Sequence, residues 1–580
     1  MTSFRVWAPF ARERVELDAL GRRWPMERDG ERGWWSLDVP DAGPGTDYRF
    51  VLDGGEPLPD PRSRWQPAGV SGASRVVDLA TLPWTDADWR GRPLADGVVY
   101  ELHIGTFSAE GTFDGAIERL DHLVDLGVTH VEVMPVAQFS GDRGWGYDGV
   151  DLFAVHHAYG GPEGFARFVD ACHARGLAVI LDVVYNHLGP AGNYLDRFGP
   201  YFTDRYRTPW GTAVNYDDAG SDEVRELVVD NALMWLRDYH CDGLRLDAVH
   251  AIFDQSARHL LEELQDRVDE LATTLGRPLD LVAESDLNDP RLVSPREPGG
   301  YALSAQWSDD FHHALHATLT GERSGYYTDF DGISSLATAL RRVFVYAGEH
   351  SPYRERRHGR PVGSLPATRF IGYLQNHDQV GNRATGDRSS HLLSTGLLQV
   401  GAALVLLGPF VPMLFQGEEW GASAPFQYFT DHGDPDLADA VRTGRRSEFA
   451  AFGWRPEEVP DPQARETFER SRLDWAELDE EPHRTLLEWH RALIALRHAT
   501  PQLRDGDLAT SAVELDADAG WLVLRRDPLE VVVNTSKSPV VAPLASGRRV
   551  VELSSAEVTL RDDAVELPGE SVAVLRHLGP

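Results

Sequence analysis

The chain reads as an α/β protein, a (β/α)8 TIM barrel flanked by an N-terminal β-sandwich and a C-terminal β domain. Three observations predict this. Between residues 91 and 503, eight short, nearly unbroken apolar runs alternate with helical patterns, as strands buried on both faces of a parallel sheet require. Residues 1–90 carry instead short alternating runs punctuated by Gly, Pro and Asp. After residue 503 the helical pattern stops and short strand-like runs return.

The N-terminal runs are Phe4-Arg5-Val6-Trp7, Val15-Glu16-Leu17 and Tyr48-Arg49-Phe50-Val51-Leu52, and a Pro-rich stretch from Pro57 to Pro67 leads out of them. The first barrel strand is predicted over Gly97 to Ile104. Phe113, Ile117, Leu120 and Val124 then recur at helical spacing, and Gly127 stops that helix. Val131 to Met134, Leu177 to Val184, Gly243 to Val249, Leu279 to Glu284, Ala305 to Trp307, Arg369 to Leu374 and Pro412 to Phe415 complete the eight. A long insertion, 185–220, is rich in Gly, Pro, Asn and aromatic residues; loops of that length are usually functional. The last barrel helix, Leu486 to Arg497, is expected to open on Thr485 and Glu488 in capping-box spacing. Trp521 to Leu524, Val531 to Val533 and Val572 to Leu575 are the strands of the last domain, 504–580.

Composition narrows the function. The net charge of −35 repels nucleic acid and anionic membranes, and a neutral sugar is indifferent to it. Lys537 is the single lysine, so Arg carries nearly all the positive charge. Cys172 and Cys241 are the two cysteines; neither has metal-ligand spacing, and both read as small core residues. No leader pattern opens the chain, and the best apolar run, about Ala402 to Leu407, is too short for a membrane span. A cytoplasmic protein with no membrane or nucleic-acid partner is expected.

In such barrels the chemistry occupies the C-terminal strand ends. Strand three ends in Asp182-Val183-Val184-Tyr185-Asn186-His187, and strand four runs Gly243-Leu244-Arg245-Leu246-Asp247. Strand five ends in Val282-Ala283-Glu284-Ser285, and strand seven in Gln375-Asn376-His377-Asp378. Each apolar strand surfaces with a carboxylate, and Asp247 and Glu284 are about one βα unit apart. Retaining glycoside hydrolysis needs one carboxylate as nucleophile and one carboxylic acid as proton donor. Asp247 fits the first role, because Arg245 projects on its side of the strand and favours the ionised form. Glu284 fits the second if partial burial near other carboxylates raises its pKa. Asp378 can hold sugar hydroxyls and stabilise developing positive charge, and His187 and His377 are placed to donate to a sugar ring. Asp182 reads equally as structural or as part of the site. His156, His157, His312 and His313 read as loop or core residues.

These four strand ends resemble the four signature regions of the α-amylase superfamily, in order and spacing. The resemblance implies Asp247 as nucleophile, Glu284 as general acid/base and Asp378 as transition-state stabiliser. Arg245, His187 and His377 would line the subsite of the reacting glucose. Tyr147, in Gly146-Tyr147-Asp148, looks like the family's stacking tyrosine. Asn186 matches one calcium-ligand position of secreted members, but the other ligands have no counterpart in the insertion, so no metal and no cofactor is expected. Several longer stretches narrow the likeness. They are Tyr100 to Phe107, Ala283 to Asn288, Gln306 to His313, Asn376 to Arg383, Gly417 to Gly421, Pro425 to His432 and Gly444 to Phe449. Together they resemble the malto-oligosyltrehalose trehalohydrolase family over essentially the whole chain. That implies malto-oligosyltrehalose and maltodextrin as partners, trehalose as product, and a functional link to a malto-oligosyltrehalose-forming synthase. Asp286, Asn288, Gln379, Glu419 and Trp420, on loops after strands five to eight, are the expected trehalose contacts. The alternative is an α-1,4-glucan branching enzyme, a transferase with the same N-terminal module and carboxylates.

Overall fold

The structure, a computed structural model, describes residues 1–450, 455 and 458–578; residues 579 and 580 of the predicted last domain lie outside the described residues. All eight predicted runs form strands of one closed barrel. They are β1 (Val99–Leu102), β2 (His130–Val133), β3 (Ala178–Val183), β4 (Gly243–Leu246), β5 (Asp280–Ala283), β6 (Ala305–Trp307), β7 (Phe370–Gly372) and β8 (Val411–Phe415). Each pairs in parallel with its successor, and β8 closes on β1 through Met413 beside Val99. The strands are buried throughout except the first residue of β5, because helices cover the outside and side chains fill the inside. The register places Asp182 beside Arg245 and Glu101 beside Glu132, so the barrel interior is unusually charged.

Residues 2–75 form two facing antiparallel sheets. One joins Thr2–Trp7, Trp34–Val39 and Glu27–Asp29; the other joins Arg22–Pro25, Val15–Ala19, Asp47–Leu52 and Pro57–Leu58, with Ser74–Arg75 along Asp47–Leu52. The Pro-rich stretch therefore begins inside a sheet rather than outside it. The module docks on the barrel helix Ser221–Arg237, where Trp34 Nε1 donates to Glu223 at 3.0 Å and Arg62 to Asp230 at 2.6 Å. At the other end, a five-stranded sheet and a three-stranded sheet make the last domain.

The predicted helix after β1 is two short helices, Phe113–Ile117 and Leu120–Leu126, which Gly127 ends at φ +93°. Leu123 and Leu126 face inward and Val124 is exposed, since the break between the helices rotates the buried stripe. The expected capping box is absent. The last barrel helix starts at His483, upstream of Thr485, whose hydroxyl bonds Glu481 instead. The insertion 185–220 folds a short helix, Leu195–Phe198, and a hairpin, Phe202–Thr208 with Gly211–Val214.

Candidate active site

Arg245 organises the mouth of the barrel. Strand alternation turns it inward from β4, where its guanidinium is fully buried. Nη1 donates to Asp182 at 2.8 and 2.9 Å and to Asp247 at 2.8 Å, and Nη2 lies 3.7 Å from Glu284. The guanidinium also lies over the Trp307 ring at 4.3 Å. A buried cation is tolerated only with such pairing, and the arrangement hangs both candidate carboxylates from one positive group.

Asp247 and Glu284 occupy unlike settings. Asp247 follows β4, with its N–H on the Val183 carbonyl at 3.1 Å. One of its carboxylate oxygens accepts from Arg245 and the other from Asn186 Nδ2 at 2.7 Å. Glu284 follows β5, with its N–H on the Leu246 carbonyl at 3.1 Å. Burial above all raises its pKa; Arg245 opposes this, and the Asp247 and Asp378 charges add to it. Its carboxyl accepts a short bond from the Ala248 N–H. Ala248 makes that bond from a left-handed backbone at φ +39°, a costly conformation for alanine held at the residue after Asp247.

Asp378 stands in the first turn of the helix His377–Gly381. Burial alone would lower the pKa of His377, but Asp378 and Glu101 raise it to about 9. Glu101 accepts from the His377 N–H at 2.9 Å and from its Nδ1, so β1 holds an imidazolium behind Asp378. The Tyr147 ring stacks on His377 at 5.1 Å and its hydroxyl donates to Asp182 at 2.5 Å. Tyr147 is set there by Gly146, whose φ of +99° lets the chain pass so close that a Cβ would meet the Pro135 carbonyl at 2.3 Å.

Asp247, Glu284, Asp378, Arg245, His377 and Tyr147 are thus brought together. His187 is near, but both ring nitrogens turn into the protein, toward Asn186 and the Tyr147 carbonyl at 3.0 Å. It supports Trp210, stacked on it at 4.5 Å, rather than presenting a donor to the cleft. Asp286 and Gln379 line a cleft of about 710 Å³ together with Asp309, Tyr326, Arg354 and Asp378. Asp286 accepts from Arg354 at 3.1 Å and Gln379 from the Tyr326 hydroxyl at 3.1 Å.

Glu419 and Trp420 do not reach this cleft. Both are fully buried: Glu419 accepts from Tyr100 at 3.1 Å and His122 at 2.8 Å, and Trp420 donates to Glu477 at 3.2 Å. Their chain turns outward after β8, which makes them braces between the barrel and its helices. Asn288 is also a brace, donating to Asp310 at 2.9 Å and to the Tyr346 carbonyl at 3.1 Å. Sequence reading missed Glu101, which lies inside a strand, and Trp210, Tyr353 and Arg354 on the mouth loops. Trp210 and Tyr353 are about half exposed, and an aromatic in a long insertion was the one available signal for Trp210. Among the described residues no group of His, Cys, Asp or Glu could hold a metal ion.

Two carboxylates around one guanidinium, one held by donors to both oxygens and one with a raised pKa, can divide the roles of nucleophile and proton donor. The family model of the alpha amylase catalytic domain matches residues 83–208. A malto-oligosyltrehalose trehalohydrolase from Arthrobacter ramosus is 52% identical over 577 residues, covering 99% of this chain and 99% of its own. A 1,4-alpha-glucan branching enzyme from Bacillus caldolyticus is 33% identical, over 53% of this chain and 51% of its own. A crystal structure from Salmonella typhimurium, provisionally described as an alpha amylase, superposes with a TM-score of 0.91 at 42% identity, covering 99% of this chain and 97% of its own.

Proposed function

The chain belongs to the malto-oligosyltrehalose trehalohydrolase family, and on that premise we propose that it hydrolyses the α-1,4-glucosidic bond next to the terminal trehalose unit of malto-oligosyltrehalose. It releases trehalose and a maltodextrin. The observation that carries this reading is the match at 52% identity along 99% of both chains; the branching-enzyme likeness stops at about half the chain.

The reaction follows from the two carboxylate environments. Glu284 gives its proton to the glycosidic oxygen while Asp247 attacks the anomeric carbon, so the carbon–oxygen bond breaks and trehalose leaves. The maltodextrin stays as an ester on Asp247. Water, deprotonated by Glu284, then attacks the same carbon, frees Asp247 and restores the acid, with net retention. Asp378 and the charged His377 flank the sugar, Arg245 donates to Asp247, and Tyr147 carries the ring. Asp286 and Gln379 are the remaining candidates for contacts to trehalose. We place the enzyme in the cytoplasm, downstream of a malto-oligosyltrehalose-forming synthase. We divide it into a β-sandwich (1–90), the barrel with its insertion (91–503) and the C-terminal β domain (504–580).

The test is kcat/KM on maltotriosyltrehalose against maltopentaose. A site built to hydrogen-bond trehalose hydroxyls rejects the analogue that leaves its polar groups unpaired, so a preference of at least roughly a hundredfold is expected. Equal values would make the enzyme a general amylase.

A further inference from the structure

Asp378 is a carboxylate with freedom to move. Its side chain is 35% exposed, and it rides on a helix only five residues long. His377 Nε2 lies 3.4 Å from one oxygen as a charge partner, not an aligned hydrogen bond. Among the described residues the one hydrogen-bond donor to its carboxylate is Asn382, whose Nδ2 reaches Oδ1 at 3.0 Å.

An asparagine amide can present either its oxygen or its nitrogen, and only one orientation serves a carboxylate. Arg445 selects that orientation. A guanidinium carries donors only, and Arg445 Nη1 donates to Asn382 Oδ1 at 3.2 Å, so the NH2 group is turned to Asp378. Arg445 is itself fixed: Nη2 donates to the Gly381 carbonyl, and the guanidinium lies 5.0 Å from the Tyr428 ring and 4.7 Å from the Phe449 ring. It belongs to the helix Pro435–Ala450, far along the chain from Asp378. The Asn376 to Arg383 and Gly444 to Phe449 motifs therefore meet at this contact.

We propose that Asn382 and Arg445 form a positioning relay that fixes the Asp378 carboxylate against the reacting sugar and couples the helix Pro435–Ala450 to the transition state. The proposal rests on the reading of Asp378 as transition-state stabiliser. Neither residue touches the reacting atoms; both act through Asp378.

Asn382→Asp separates this role from a structural one. The variant keeps acceptors for Arg445, so the helix stays docked, but it turns a carboxylate oxygen toward Asp378 where a donor had been. An interaction made only in the transition state lowers kcat and kcat/KM equally, and a tenfold loss corresponds to about 1.4 kcal/mol. Asn382→Asp is expected to lose roughly tenfold or more in kcat on maltotriosyltrehalose, with KM within about threefold and the thermal midpoint unchanged. Arg445→Lys should retain most of kcat and Arg445→Met should not. Asp378→Asn, assayed alongside, tests the underlying reading. If Asp378→Asn loses most of kcat while Asn382→Asp and Arg445→Met keep wild-type kcat, or change KM alone, the relay is overturned and the reading of Asp378 stands. If Asp378→Asn keeps wild-type kcat, the reading fails and the relay with it.

Discussion

At the scale of the residue, the division of labour depends on small differences around two similar side chains. Asp247 accepts hydrogen bonds at both carboxylate oxygens, and Glu284 is buried with its pKa raised. Asp247→Asn and Glu284→Gln change little volume and leave Arg245 its other partners. Each is expected to lose several orders of magnitude in kcat, as removal of a nucleophile or of a matched acid does. Steady-state rates and a thermal melt check this; either variant retaining more than about a tenth of wild-type kcat would contradict the assignment. The pH dependence has a fixed sign. A raised Glu284 pKa keeps the acid protonated to higher pH than an ordinary glutamate, and activity then falls as pH rises through that value. Asp378→Asn removes one of the charges that raise it, so the alkaline limb of its residual kcat/KM should move to lower pH. These carboxylates were legible because each ends an apolar strand in a distinctive motif. The direction in which His187, Glu419 and Trp420 turn was not legible, because position on a loop does not reveal which way a side chain points.

At the scale of the element, the helix Thr395–Leu406 shows how the last domain is attached. It includes most of the longest apolar run of the chain and is apolar nearly all round, the pattern of a helix covered on every side. The strands Leu529–Asn534 and Ser571–His577 cover one flank and the helix His483–Ala499 another. Its buried C-terminal carbonyls need donors, and two buried arginines supply them. Arg497 donates to Leu406 at 2.9 Å and Phe410 at 3.0 Å, and Arg526 donates to Gly408 at 2.7 Å and Leu503 at 2.9 Å. Burial pulls the two guanidinium pKa values down to about 9 and about 10, and the negative end of the helix favours the charged form. Arg526→Met keeps the apolar stem and strands the carbonyls. A loss of about 1.5–3 kcal/mol is expected, the range for hydrogen bonds to a charged donor, read as a lower urea midpoint. An unchanged midpoint would mean that water replaces the guanidinium without cost.

At the scale of the whole molecule, the segment joining the β-sandwich to the barrel is clamped to the barrel's N-terminal face by two histidines. Asp86 lies 2.8 Å from His173 Nδ1 and 2.8 Å from His240 Nδ1, while His173 Nε2 reaches Asp242 at 3.0 Å. Trp84 stacks on His240 at 3.9 Å and Trp89 on His173 at 4.5 Å. Two carboxylates on opposite ring nitrogens require His173 to donate from both, which only the imidazolium does. Burial lowers its pKa, but Asp242 and Asp86 outweigh burial and raise it. A raised folded value means that the stabilisation is complete below the unfolded histidine value of about 6.5 and is lost as pH rises through the folded value. The Trp89 indole and Arg277 also hold Asp242, and Thr85 holds Asp170, so the clamp loosens rather than opens. Protection of the amides of residues 84–90, taken relative to their base-catalysed intrinsic exchange, should fall across that pH window in the wild type, and be low and less pH-dependent in Asp86→Asn. Protection independent of pH in the wild type would rule out the charged histidine.

The barrel, its flanking β domains and the polar residues at its mouth were legible along the chain, because these depend on local rules. Apolar runs of strand length and helical spacing are written in neighbouring residues, and a polar residue ending a buried strand must emerge at the strand's end. Which groups face each other across long stretches of chain emerges only once the chain has folded. Tyr100 and Glu419 are 319 positions apart, Glu101 and His377 are 276, and Arg445 and Asn382 are 63. No periodicity encodes such pairs, because hydrogen bonding and charge pairing act through space after the barrel has closed. Closure put Glu101 behind His377 and Arg445 behind Asn382, and it turned Glu419 and Trp420 away from the cleft.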